Sequence, residues 1–370
     1  MKIGITAEVS QNIWASGEAQ YIYFLYDILR RANFDCFFLH SEERVCRALR
    51  RYKQVNITNA ISQRMALDVL IIGSLFPSYV EIASILKENP RCKIIYFNFN
   101  SLLVEHTHGF LASTPSAPSP PQLLDLAFLL DEIWVFPHTS HQAPYIEALF
   151  NTEKVREAPY IWDSQFISRT FSKDGCRDIR YDPAASSDLS DLRQVCIFEP
   201  NVNFAKNFLI PLAICERTIN MESTALESIN IFNCKNLRMR QYFKVLVESF
   251  KAVKEKKVYF NNRWNLPAAL QRWGGSVVSH QHLSELNYLY LECLYLGIPL
   301  IHNSKILQDY GYFYKSFDVK EGSRMLKLAI NCHKDNFDYY QGQATHCLSK
   351  YSTYNPLNVE SYKSLVNSLK

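Results

Sequence analysis

No Cys-x-x-Cys pair occurs among the ten cysteines of this 370-residue sequence, and no Asp-x-Asp pair occurs anywhere in it. The cysteines, among them Cys36, Cys46, Cys92, Cys196, Cys215, Cys234 and Cys293, are scattered singly and mostly inside apolar runs. That placement marks them as reduced, buried thiols. Without an Asp-x-Asp pair the chain lacks the paired carboxylates that can bridge a divalent metal to a diphosphate. No apolar stretch approaches the roughly 18 residues that would cross a bilayer. Nor does the start, Met1-Lys2-Ile3-Gly4-Ile5-Thr6, have the longer apolar stretch and small-residue cleavage site of a signal peptide. A cytoplasmic protein with no integral membrane segment is expected. Strong charge of one sign is missing too: 40 Lys and Arg against 36 Asp and Glu leave a net charge of +4, well short of the basic stripe of a dedicated nucleic-acid binder. The small excess suits an anionic small molecule.

What is present is an apolar fraction of 48% beside 21% charged residues, the composition of a globular chain. The length exceeds one ordinary core and predicts two domains of roughly 150 to 200 residues. Apolar runs of strand length alternate with amphipathic stretches of helix length, the pattern of parallel sheets covered by helices, so the fold class is α/β. In the first half, strands are expected at 2–6, 34–39, 69–72, 93–97 and 133–136. A helix is expected over about 18–31, where Ile22, Leu25, Tyr26, Ile28 and Leu29 supply an apolar face. The segment 113–121 holds too many prolines for a helix or a central strand and reads as an exposed loop.

Between residues 168 and 193 the chain turns polar, with Lys173-Asp-Gly175, Asp182-Pro183 and a Ser/Asp run; this is the expected linker. A second series follows, with strands at 195–198, 229–232, 257–260, 276–279 and 298–302. Helices are expected over 204–217, 240–254, 267–273 and 285–296, and again from about 322. The domains therefore read 1–167 and 194–350, with 351–370 a last helix packing back on the first domain.

The most informative window runs from Ser279-His280-Gln281 through Ser284-Glu285-Leu286-Asn287 to Glu292, Gly297 and His302. It reads strand, loop, helix, glycine stop, buried strand. Ser284 is the expected N-cap, which would leave the backbone N–H groups of Glu285, Leu286 and Asn287 pointing out of the helix start as an anion site. Seven residues turn a helix by about 700°, so Glu285 and Glu292 would share a face, with Glu292 placed to accept from ribose hydroxyls. The competing reading is a solvated acidic pair. It is weakened because Leu289, Leu291, Leu294 and Leu296 leave little of this helix exposed, and a buried carboxylate needs partners.

Two further elements follow strands. In Phe198-Glu-Pro-Asn201-Val-Asn203-Phe-Ala-Lys206-Asn207, a lysine is expected at the start of the next helix. There it would neutralise a diphosphate, with Asn201 and Asn203 bonding phosphate or sugar oxygens in the crevice at the strand ends. Arg263, after the strand ending at Phe260, follows the same logic.

These residues carry a resemblance. Lys206-Asn207 before Leu209-Ile210, the turn after Phe260, and Glu285 to Glu292 before Gly297-Ile-Pro-Leu-Ile resemble the C-terminal domain of GT-B glycosyltransferases of the glycogen-synthase-like group 1 type. Trp14-x-x-Gly17, Glu-Pro-Asn201, Val278-Ser-His280-Gln, Asn287-Tyr-Leu-Tyr-Leu and Leu300-Ile-His-Asn303-Ser together resemble, over nearly the whole chain, an uncharacterised bacterial and phage family of presumed glycosyltransferases. The resemblance implies two Rossmann-like domains facing a central cleft and a nucleotide diphosphate sugar, of the UDP kind, as donor. It further implies diphosphate binding by Lys206, Glu285 and the helix start, and ribose binding by Glu292. The carboxylate pair has six intervening residues where group 1 has seven, the arginine usual before the lysine is absent, and no glycine-rich first loop occurs.

In the first half, Gly17 would let a sugar or phosphate approach the backbone closely. His106 and His108, between a strand and the proline-rich loop, are the leading candidates for a general base toward an acceptor hydroxyl, since imidazole titrates near neutrality. Asp163 is the rival base. A metal site at the two histidines lacks a third ligand, and with no Asp-x-Asp pair a metal-independent mechanism follows, the leaving group being stabilised by Lys206, Arg263 and helix N-termini. No cofactor beyond the donor is expected, and the acceptor, whether glycan, lipid-linked glycan, protein or nucleic acid, is left open. Two other readings stay on the table: a nucleotide-sugar epimerase on the same scaffold, and a non-catalytic protein binding sugars or nucleic acid through aromatics such as Tyr310 and Tyr314.

Overall fold

Among the residues it describes, the computed structural model resolves the apolar runs into thirteen strands and two parallel sheets. It describes residues 1–8, 17–42, 51–112, 124–168, 179–184 and 191–369. Trp14, Ser16, the proline-rich segment 113–121 and most of the expected linker lie outside the described residues. The chain divides into two compact units, Met1–Asp163 with Tyr351–Lys370, and Ser164–Lys350. Among the described residues no helix is long and apolar enough to cross a membrane.

The first unit holds β1 (Lys2–Thr6), β2 (Asp35–His40), β3 (Gln54–Asn56), β4 (Val69–Ile72), β5 (Lys93–Asn98), β6 (Glu132–Val135) and β7 (Val155–Glu157). Their order in the sheet is β3-β2-β1-β4-β5-β6-β7. Central strands such as Val69-Leu-Ile-Ile72 are buried at every position, as expected where helices cover both faces of a parallel sheet. Gly73 follows β4 because a Cβ there would lie 2.7 Å from the Thr6 carbonyl oxygen. The helix Pro356–Asn367 packs in this unit against the helix Gly17–Arg31. There the hydroxyl oxygens of Tyr21 and Tyr362 adjoin each other and both lie within hydrogen-bonding distance of the Pro159 carbonyl. The chain's return is tied by the Trp162 N–H, which donates to the Tyr351 carbonyl at 2.8 Å.

The second unit holds β8 (Gln194–Ile197), β9 (Ser228–Ile231), β10 (Val258–Phe260), β11 (Ser276–Val278), β12 (Leu300–His302) and β13 (Tyr312–Phe313), in the order β10-β9-β8-β11-β12-β13. Its core gathers Val195, Ile197, Leu212, Ile229, Ile231, Val278, Ile301 and Leu326. In both sheets the strand order reverses beside the unit's first strand, between β1 and β4 and between β8 and β11. Ligands of open α/β sheets bind at the carboxyl ends of the strands flanking such a reversal.

Three expected helices differ from what is observed. The one expected from 204 begins at Leu209, because Pro211 is tolerated in a first helical turn but would break a bond and clash further in. The one expected over 240–254 is two pieces, Gln241–Glu248 and Lys251–Lys254. The Glu216 carboxylate caps the second by accepting from the N–H groups of Lys251 and Ala252 at 2.7 and 2.8 Å. The one expected from Glu285 begins at Tyr288, with Asn287 rather than Ser284 as N-cap. It stops as read, at Gly297, whose φ of 69° is left-handed.

Candidate functional site at the β8/β11 switch

Just beyond β8 stands Glu199, 1% exposed. One carboxylate oxygen accepts from the Ser279 hydroxyl and, at 3.0 Å, from the His280 N–H; the other accepts from the Gln281 side-chain amide. These partners follow β11, so Glu199 staples the two loops that flank the switch point. Burial pushes its carboxyl up to about 7, opposed by the Ser279 and His280 hydrogen bonds and the nearby Lys206 charge. The Ser279 hydroxyl also lies 3.0 Å from the Tyr290 hydroxyl. On the far side, Asn303 brackets Gln281, accepting from its N–H at 2.9 Å and donating to its carbonyl at 2.8 Å.

Lys206 sits on the loop after β8, three residues before the helix instead of at its start. Asn203 Oδ1 accepts from the N–H groups of Ala205 and Lys206 at 3.0 and 3.1 Å. Asn201, at a φ of 58°, donates to the Phe232 carbonyl and accepts from the Phe208 N–H, each at 2.9 Å. Both asparagines hold the loop that carries the lysine. The His282 N–H donates to the Ala205 carbonyl at 3.0 Å, which joins this loop to the one after β11. Arg263 is exposed on the loop after β10. That loop meets the one after β9 through the Cys234 N–H and the Asn261 carbonyl at 3.0 Å. Lys206 and Arg263 therefore stand on loops at the same end of one sheet.

Because the helix after β11 starts at Tyr288, the N–H groups of Glu285, Leu286 and Asn287 are not its first turn, and Glu285 and Glu292 do not share a helix. Leu286 is buried. Glu285 accepts from the Lys305 N–H at 3.2 Å, and the Asn287 side chain accepts from the Leu289 N–H at 3.1 Å. Glu292 lies in the second helical turn, half-buried. No hydrogen bond or ion pair within the described residues engages its carboxyl. Burial alone pushes that carboxyl from its ordinary 4.5 to about 8, which favours its protonated form near neutral pH.

In the first unit Gly17 is exposed and opens its helix. His106 and His108 are placed on the helix Leu102–Ala112. His106 Nδ1 lies 2.8 Å from the Tyr145 hydroxyl, and burial holds its pKa below the ordinary value; His108 is exposed. Asp163 accepts from the Thr353 hydroxyl at 3.2 Å. Sequence reasoning missed Glu18, whose carboxyl is pushed up to about 7 by burial and then by the charges of Glu105 and Glu8. Its sequence signal is an acidic residue in the first turn after β1. The charge that acts on it, Glu105, comes from a distant helix.

Among the described residues no three His, Cys, Asp or Glu side chains come together as a metal site. A cavity of about 800 Å³ opens between the helices Leu209–Met221 and Val319–Cys332, lined by Arg217, Lys315, Lys320, Arg324 and Lys327 with Asp318 and Glu321. We place the site at the β8/β11 loops in preference to this basic cavity, because there the buried Glu199, Ser279, His280 and Gln281 converge on the strand ends at the switch point.

The raised carboxyls make stability depend on pH. The folded Glu292 titrates near 8 and the unfolded one near 4.5, so between these values the folded state holds the extra proton. Its contribution is whole below the unfolded value and is lost as pH rises toward 8. Glu199 and Glu18 act in the same sense up to about 7. Thermal melts should show the midpoint falling across this window, and Glu292→Gln should flatten the fall. Parallel curves for the two proteins would remove the assigned protonation state.

A model of the family described as protein of unknown function DUF2827 matches residues 3–366. No curated protein matches the chain in sequence. Among solved structures, one similar in fold is an alpha-glucosyltransferase in complex with UDP and a 13-mer DNA, at 10% identity and a TM-score of 0.61, covering 100% of this chain and 99% of that one. Another is S. aureus TarM in complex with fondaparinux, alpha-GlcNAc-glycerol and UDP, at 10% identity and a TM-score of 0.61 over 99% of both chains. A third is an alpha,alpha-trehalose 6-phosphate synthase from Burkholderia multivorans, at 10% identity and a TM-score of 0.59, covering 100% of this chain and 99% of that one.

Proposed function

This chain belongs to the DUF2827 family and has the GT-B fold of two Rossmann-like domains, and from that premise we propose that it is a glycosyltransferase. The donor is a nucleotide diphosphate sugar of the UDP kind, bound by the second unit. The first unit takes the acceptor.

The observation that carries this reading is Glu292. A carboxyl without a partner among the described residues, half-buried in the helix that follows a switch-point strand, is costly unless a ligand supplies donors. The two hydroxyls of a ribose do so. Lys206 and Arg263 face the growing negative charge of the leaving diphosphate, and no metal takes part. For acceptor activation His106, His108 and Asp163 are joined by Glu18, whose carboxyl titrates close to the operating pH of a general base.

Glu292→Ala is expected to weaken UDP binding by about 1 to 3 kcal/mol through loss of its hydrogen bonds to the ribose and the groups left unpaired. Isothermal calorimetry on the folded variant reads this directly. An unchanged UDP affinity would take Glu292 out of the nucleotide site.

A further inference from the structure

His280, immediately beyond β11, is 4% exposed. Its Nδ1 lies 3.0 Å from the Tyr314 hydroxyl oxygen, and that hydroxyl gives its single proton to the Ser279 carbonyl at 3.1 Å. A carbonyl has no proton to return, so the tyrosine oxygen meets Nδ1 as an acceptor. The ring proton is therefore on Nδ1. Burial, with the neighbouring His282, depresses the ring's pKa to about 4, so the imidazole is neutral at physiological pH and Nε2 carries a bare lone pair. Nε2 is buried and has no hydrogen-bond partner among the described residues.

A second observation concerns what lies beside it. The Phe317 ring centroid is 4.6 Å from that of His280 and 5.3 Å from that of His282, and Phe204 stands 6.2 Å beyond His282. Phe317 and Phe204 are each 52% exposed. An exposed aromatic strip over a buried acceptor fits a group with an apolar face and an O–H or N–H at its edge, the description of a sugar ring or a base. A diphosphate does not fit, since its ionised oxygens have no proton to give and would meet the Nε2 lone pair head on.

Resting on the reading of the second unit as a donor site, we propose that His280 Nε2 accepts a hydrogen bond from an O–H or N–H of the donor's sugar or base, with Phe317 against its apolar face. His280 makes no contact with the diphosphate. It is a specificity-determining residue, selecting donors that present a proton at this point.

His280→Asn tests this with little disturbance, because the amide nitrogen replaces Nδ1 toward Tyr314 while Nε2 is deleted. Calorimetry with UDP and with UDP-glucose should show about a tenfold loss of affinity. Loss for both probes places the donated proton on the base or ribose; loss for UDP-glucose alone places it on the transferred sugar. Phe317→Ala should weaken the same probe or probes. Unchanged affinity for both in His280→Asn, with wild-type binding intact, would overturn the proposal and leave the donor reading standing. If the wild type binds neither probe, the donor reading has failed and the proposal falls with it. Should the variant not fold, nitrogen NMR of the wild-type imidazole decides. An unprotonated Nε2 that shifts on adding the bound probe is expected, and a protonated Nε2 would refute the assignment.

Discussion

Lys206→Ala should slow sugar transfer by about 10²- to 10³-fold at saturating donor, the loss found when one preorganised charge stabiliser is removed from a transition state. Negative charge grows on the departing diphosphate as the glycosidic bond breaks, so a cation held there contributes more to the transition state than to the bound donor. The lysine is fitted for this by its surroundings. Asn203 fixes its backbone, Asn201 fixes the loop, and the half-buried side chain lies near Glu199. Arg263→Ala should lower turnover in the same direction. Neither change should harm folding as much as it harms rate, because both residues are on loops outside the core. If these cations stabilise the leaving group without a metal, transfer should also survive excess EDTA. Normal turnover in the two variants would refute their roles, and complete loss on chelation would overturn the metal-free mechanism.

The second large effect is on stability. Glu199→Leu leaves the Ser279 hydroxyl, the His280 N–H and the Gln281 amide facing an apolar side chain, and each buried donor left unpaired costs about 1 to 3 kcal/mol. With some relaxation the sum is roughly 3 kcal/mol. The melting midpoint of the second unit should drop by roughly 6 to 12 °C. Glu199→Gln, which keeps an acceptor oxygen, should lose less. A Leu variant as stable as the wild type would show that Glu199 does not staple the β8 and β11 loops.

Much of the scaffold could be read from local pattern. Lys2–Thr6 and Val69–Ile72 were bounded to the residue, because a central parallel strand is a continuous apolar run with polar ends. The edge strands β3 and β13 escaped detection: Gln54–Asn56 and Tyr312–Phe313 are two or three residues long and only half-buried, so no run exists to see. The helix Leu102–Ala112 was hidden by Gly109 and by a histidine pair that broke its apolar face. Asn287, Ser284 and Asn265 are all cap-forming residue types, and sequence alone does not rank Asn287 above Ser284. The site's organising residue was the least legible. Glu199 sits 80 to 82 residues from the groups it bonds, and nothing local to Phe198-Glu-Pro distinguishes a buried staple from a solvated carboxylate. Glu18 is the same case, its raised carboxyl owing in part to the charge of Glu105 far along the chain.

The central claim is that the second unit cleaves a nucleotide sugar. The direct measurement is release of nucleoside diphosphate when the full chain is incubated with a panel of nucleotide sugars. The account predicts that the wild type liberates the diphosphate from at least one donor, with UDP-sugars first among them, and that Lys206→Ala does so at least tenfold more slowly. A folded wild type that neither binds nor cleaves any member of the panel would contradict it.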